Sequence, residues 1–293
     1  MPRSGIGALI ATLALGALAA CGASSGSSTG TQTTAGSTTA AGVSSAVVPL
    51  RHVPSGEATL AYDAAARTLT VEVRLTGLAP NSVHPAHIHS GRCEQQGAVA
   101  YPLNNVQADG HGVADAVTAV SANREAGIPD AAWYVNVHNG PNLTPDAQFE
   151  PIVCGDVANP ARGAHVAVQL QQGPPPTSPP GSPDQTASGT AQLTIRGGTL
   201  RVVLDVTGLR PSSSHAVDIH LGSCASQGAV IHPLPRLTAD SGGHATLTAT
   251  VSEVSSIPTG IWYVNVHRTT AVSAGQTDFD PILCGDVGGA PGY

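Results

Sequence analysis

Trp133-Tyr134-Val135-Asn136-Val137-His138 is the stretch whose reading decides the fold. Side chains alternate along a strand, so Trp133, Val135 and Val137 share one face and Tyr134, Asn136 and His138 the other. The first face is apolar and suits a core. The second carries a histidine at its end. Ala86-His87-Ile88-His89 reads the same way, with Ala86 and Ile88 inward and His87 and His89 together on the opposite side. Both stretches recur, as Trp262-Tyr263-Val264-Asn265-Val266-His267 and as Val217-Asp218-Ile219-His220. A repeat of this kind must be found before any fold is assigned.

The repeat extends outward from these strands. Thr76-Gly77-Leu78 returns as Thr207-Gly208-Leu209, and Gln96-Gly97-Ala98-Val99 as Gln227-Gly228-Ala229-Val230. Pro151-Ile152-Val153-Cys154-Gly155-Asp156 returns as Pro281-Ile282-Leu283-Cys284-Gly285-Asp286. Alternating runs at 58–62, 69–75, 86–89, 113–120, 132–138 and 152–157 are punctuated by Gly, Pro and Asn turns. No segment keeps a helical period over three turns. Such a pattern predicts an all-β protein of two tandem antiparallel Greek-key barrels or sandwiches. The expected limits are 45–158 and 163–288, each copy opening with its own first strand, Ser45 to Leu50 or Ala164 to Leu170. The interdomain linker is then expected at Ala158 to Gly163, and the Pro-rich stretch Gly173 to Asp184 as a loop inside the second copy.

The N-terminus has a different character. Arg3 is its only charge, and Gly5 to Ala20 is an apolar run too short for a spanning helix. Residues 1–20 therefore read as an export signal. The run ends in Leu18-Ala19-Ala20-Cys21, which resembles a bacterial lipobox. That resemblance implies lipid on Cys21 and a protein held on the outer face of a bacterial cell membrane. Residues 21–44 are then a tether of Gly, Ala, Ser and Thr, with a reach on the order of 25–30 Å.

Five cysteines divide into Cys21 and two pairs' worth, Cys93, Cys154, Cys224 and Cys284. Export permits disulfides. Pairing within each copy would close loops of about 60 residues and stabilise each by roughly 4 kcal/mol on chain-entropy arithmetic. Pairing across copies would require the copies to be held rigidly together.

If the two strands of a copy approach one another, His87, His89 and His138 converge outside the apolar core. Three imidazoles suit a borderline metal such as copper, zinc, iron or nickel. The alternative is that the histidines only brace loops on a polar surface. His84 and His111 lie nearby in sequence. The second copy is the weaker candidate. Asp218 stands where the first has His87, His220 and His267 remain, and His232 stands where the first has Tyr101.

The strings His-Ile-His-x-Gly and Tyr-Val-Asn-Val-His resemble the chordin-type, or CHRD, domain. The likeness covers about 56–157 and 189–287 and implies an exported β-sandwich. The same segments are similar to the copper/zinc superoxide dismutase fold. That similarity implies an eight-stranded Greek-key barrel, copper on His87, His89 and His138, and a Cys93–Cys154 disulfide. The chain departs from that enzyme in three ways. Glu94 to Gly112 offers only His111 and Asp109, so no zinc site is expected. The bridging-histidine position falls near Tyr101. Pro151 and Pro281 stand where that family has its substrate-steering arginine.

The formal charge of −7, without a basic cluster, argues against nucleic acid as a partner. No nucleophile elbow, phosphate loop, HExxH or paired-carboxylate motif occurs. The reading is a noncatalytic envelope protein that binds copper through a surface histidine cluster, with a membrane and a metal ion as its partners. A copper-dependent dismutase and a metal-free adhesion module are the rival readings.

Overall fold

Two residues, Val53 and Pro54, separate strand β1 (Ser45–His52) from β2 (Ser55–Asp63). A two-residue hairpin turn needs residues that reach positive φ, typically Asn-Gly or a leading Gly. A β-branched residue followed by proline does not supply them. The chain therefore runs on from one barrel into the other instead of turning back. This is seen in the computed structural model of the protein, which describes residues 42–123, 125–171, 187–273 and 275–288.

The remaining strands of the first repeat are β3 (Thr68–Thr76), β4 (Ala86–Arg92), β5 (Gln95–Pro102), β6 (Ala114–Ser121), β7 (Trp133–His138) and β8 (Pro151–Asp156). Next come β9 (His165–Leu170), β10 (Ser188–Arg196), β11 (Thr199–Thr207) and β12 (Ser214–Ser223). The chain ends with β13 (Ser226–Thr238), β14 (Ala245–Ser252), β15 (Trp262–His267) and β16 (Pro281–Asp286). One short helix precedes the last strand of each repeat, α1 (Asp146–Phe149) and α2 (Gln276–Phe279). Among the described residues no helix is long and apolar enough to cross a membrane.

The second repeat forms one eight-stranded sheet in the order β13-β12-β15-β16-β1-β10-β11-β14. The first forms two four-stranded sheets, β8-β7-β4-β5 and β9-β2-β3-β6, linked by a bridge between Cys154 and Gln171. Joined there, they give the same strand order. The chain is thus two tandem Greek-key barrels, with one exchange. β1 lies in the second barrel, against β10 and β16, and β9 lies in the first, against β2. Val48 and Leu50 are buried in the second core, and Val166, Val168 and Leu170 in the first.

The exchange corrects the expected limits. The units 45–158 and 163–288 are not closed in space, because each lends its first strand to the other. The barrels are joined at 53–54 and by 171–187, not at 158–163. The Pro-rich stretch at 173–184 therefore connects the barrels; it lies outside the described residues, as do residues 1–41 with the expected signal and Cys21. The end of the expected tether is not free either. Gly42–Val43 pairs with Ile257–Pro258, and Ser44 accepts a hydrogen bond from Ile195.

A glycine makes room for each lent strand. A Cβ on Gly285 would sit 2.4 Å from the Pro49 carbonyl oxygen and 2.5 Å from Val48 Cγ1. A Cβ on Gly155 would sit 2.4 Å from the Gln169 carbonyl oxygen and 2.6 Å from Val168 Cγ1. Further contacts hold the barrels together. Gln227 donates through Nε2 to the Leu78 carbonyl at 2.8 Å, and its backbone N–H donates to His111. Gln276 donates to the carbonyls of Val83 and Asn139.

Candidate metal centre

Register places the histidines. β4 and β7 pair antiparallel, with His87 opposite Asn136 and His89 opposite Tyr134. Directly opposed residues share a face, so His87, His89, Tyr134, Asn136 and His138 lie on one side of the sheet. Ala86, Ile88, Val135 and Val137 lie on the other, in the core. The ring centroids of His87 and His138 are 5.2 Å apart, and those of His87 and His89 5.5 Å. One nitrogen from each of the three lies within 4.8 Å of the others.

The expected surface cluster is in fact buried. His89 is 7% exposed and His138 1%, while His87 is half-buried. The face of β7 away from the core is buried as well, and Phe149 covers its His138 end. Phe149 of α1 lies 5.1 Å from the His138 ring, centroid to centroid.

Two backbone carbonyls set the tautomers. His89 Nδ1 lies 2.9 Å from the Gly97 oxygen, and His138 Nδ1 bonds the Phe149 oxygen. A carbonyl can only accept, so each Nδ1 carries the proton and each Nε2 presents a bare lone pair. His89 Nε2 is buried without a partner, as is His87 Nδ1. His138 Nε2 takes only a long 3.4 Å approach from the Asn136 amide. Leaving a buried acceptor unpaired is costly. A metal ion between these nitrogens would satisfy them, and a second ring nitrogen tied to a carbonyl is the usual support of a ligating histidine.

The second barrel repeats the frame. Asp218 pairs opposite Asn265, and His220 opposite Tyr263. His220 Nδ1 bonds the Gly228 oxygen at 3.0 Å, and His267 Nδ1 the Phe279 oxygen. Asp218 Oδ2 lies 3.3 Å from His267 Nε2. His220 Nε2 is buried without a partner. Asp218, His220 and His267 are 8%, 1% and 1% exposed and bring their donor atoms within 4.8 Å of one another.

His232 does not join them. It pairs opposite Ile219, so it shares the core-side face, and its ring stands edge-on to Trp262 at 5.3 Å. Tyr101 does the same on Trp133 in the first barrel. The expected role of His232 as a ligand is therefore corrected to packing. His84 also stays outside, with Nδ1 on the His138 carbonyl and Nε2 on Ser82 Oγ. His111 faces the repeat interface, where its Nδ1 meets the Gln227 carbonyl at 3.1 Å.

The CHRD-domain profile matches residues 29–142 and again 165–275. The chain belongs to the CHRD-domain family. The second match opens at β9, so the CHRD unit along the sequence includes a strand that in space completes the preceding domain. No curated protein matches the chain in sequence. Among solved structures it is similar to the clock protein EA4, at 16% identity over 35% of this chain and 87% of that one, with a TM-score of 0.27.

Disulfides brace both CHRD domains, Cys93–Cys154 and Cys224–Cys284. Each ties the hairpin that carries the carbonyl at Gly97 or Gly228 to the last strand of its domain. The carboxylate two residues after the second cysteine adds to this. Asp156 accepts from the Cys93 backbone N–H, and Asp286 from that of Cys224, both at 2.7 Å.

Burial disfavours the protonated form of His138, His87 and His220. It pushes His138 down to about 4, against the Phe149 carbonyl, which raises it. It also lowers His87, helped by His89, and lowers His220. Neutral imidazole is the form that binds metal. Sequence reading missed the four carbonyls and the tyrosines that stack on the rings, Tyr134 on His89 at 5.0 Å and Tyr263 on His220 at 4.8 Å. Their signal was present as the duplicated Gln-Gly-Ala-Val and Phe-x-Pro strings.

Proposed function

We propose that this CHRD-domain protein is a noncatalytic metal binder of the cell envelope that holds copper on His87, His89 and His138. The observation that carries this reading is that one ring nitrogen from each histidine lies within 4.8 Å of the others, with His87 Nδ1 and His89 Nε2 buried and unpartnered. Imidazole nitrogen suits copper well. Copper there would supply a redox-capable cation, while the chain supplies the three nitrogens and the carbonyls of Gly97 and Phe149 that orient them. The envelope placement rests on the apolar run before Cys21. It also draws support from the other four cysteines, which are paired with one another and leave Cys21 for lipid attachment.

The test is metal analysis of the purified chain after copper loading and dialysis. One equivalent of copper should stay in the first domain and be lost from His138→Ala. A chain with His87, His89 and His138 all replaced by alanine that retains copper with unchanged affinity overturns the reading.

A further inference from the structure

The two clusters share a backbone frame and differ at one position. His89 and His220 each bond a glycine carbonyl in the neighbouring hairpin, and His138 and His267 each bond the carbonyl of the covering phenylalanine. His87 and Asp218 both sit opposite the asparagine of a Trp-Tyr-Val-Asn-Val-His strand. The frame is thus a controlled comparison in which an imidazole is exchanged for a carboxylate.

That exchange changes the charge of the pocket. As ligands the first cluster offers three imidazole nitrogens, which bind metal in their neutral form. The second is two imidazoles and an anion. Removing a net charge from water costs free energy that rises with the square of that charge, and the cost is large in a buried site. In the first cluster a monovalent ion leaves a net +1 and a divalent ion a net +2. In the second a monovalent ion leaves none and a divalent ion only +1, because the carboxylate cancels one unit, so the extra cost of the divalent ion is smaller there than in the first cluster. Ligand softness points the same way. Imidazole accepts copper as readily as zinc, whereas a carboxylate oxygen favours a harder ion. Zinc accepts this mixture of histidine and carboxylate ligands.

We propose that the residue at position 87 or 218 sorts metals between the two CHRD domains. The first cluster takes copper in its monovalent state, and the second takes a divalent ion of the zinc class. The inference rests on the reading of both clusters as metal sites.

The test supplies both metals together to the full chain, without oxygen. Monovalent copper is added as its acetonitrile complex, and divalent cobalt stands in for zinc because its visible absorption reports binding. Copper and cobalt retained per chain are measured after desalting. The wild-type chain should keep one equivalent of each and show the cobalt bands. Asp218→His should keep two equivalents of copper and lose the bands. His87→Asp should keep two of cobalt. Asp218→Asn, which keeps the side-chain shape, should weaken cobalt binding by about tenfold or more. Circular dichroism checks that each variant folds. If all chains retain both metals in the wild-type ratio, sorting at this position is overturned while metal binding stands. If the folded wild-type chain retains neither, the metal reading falls and the sorting with it.

Discussion

Truncating Leu50 to alanine should weaken the second barrel, although Leu50 stands at the head of the first repeat. Leu50 is 2% exposed and lies, with Val48, in a core otherwise drawn from residues 187–287. A buried leucine truncated to alanine costs about 2–5 kcal/mol, and the cost depends on how well the site can collapse. Collapse is hindered here. Leu50 Cδ2 would lie 3.0 Å from a Cβ built on Gly285, so the new space opens against a residue with no side chain to fill it. The upper half of the range is therefore expected. A domain's whole stability is about 5–15 kcal/mol, so the loss is a large fraction of it.

Amide hydrogen exchange reads the effect strand by strand. Even a loss of about 2 kcal/mol speeds exchange roughly thirtyfold where exchange needs opening of that barrel. In Leu50→Ala the acceleration should appear first in β10, β11, β15 and β16. Leu170→Ala should produce the mirror result in β2, β3, β7 and β8, since Leu170 belongs to the first core. If Leu50→Ala instead accelerates exchange first in β2 and β3, the strand exchange is refuted.

Gly285→Ala should force β1 away from β16, since its Cβ would lie 2.4 Å from the Pro49 oxygen; overpacking of this kind costs about 1–3 kcal/mol, read as a lower unfolding temperature. Acid should unfold the protein partly through His52, whose ring nitrogens are buried at the junction of the barrels and whose pKa burial lowers from 6.5 to about 4. The unfolded chain then binds the extra proton between those values, so stability is full above pH 6.5 and falls by about 3 kcal/mol as pH drops to 4. Urea midpoints across that range should flatten in His52→Gln. Copper at about a hundred times the dissociation constant of the first site should stabilise the fold by about 2.7 kcal/mol, seen as a thermal shift that His138→Ala lacks.

The strand faces were legible because alternation is a local property. Ile88 and Val135 had to share one side and His87, His89 and His138 the other, whatever the rest of the chain did. The burial of that second side was not legible in the same way. At His138 it depends on Phe149 lying against the ring, a contact without sequence period. His232 was misread for a related reason. A histidine that takes the place of a tyrosine looks like a gained ligand, until the pairing of His232 with Ile219 puts it on the core side.

The exchange of β1 and β9 was hidden by the repeat itself. Val48 and Leu50 present the same pattern as Val168 and Leu170, so each strand fits either barrel, and no propensity distinguishes the two. The discriminating signal lay in the connection. Val53-Pro54 is too short for a loop and wrong for a hairpin turn, whereas β9 and β10 are separated by residues 171–187. A link that cannot reverse direction sends its strand across to the neighbouring barrel, and β9 takes the vacated place. The two CHRD domains therefore share one folding unit, and each histidine site depends on a barrel closed by the other domain's strand.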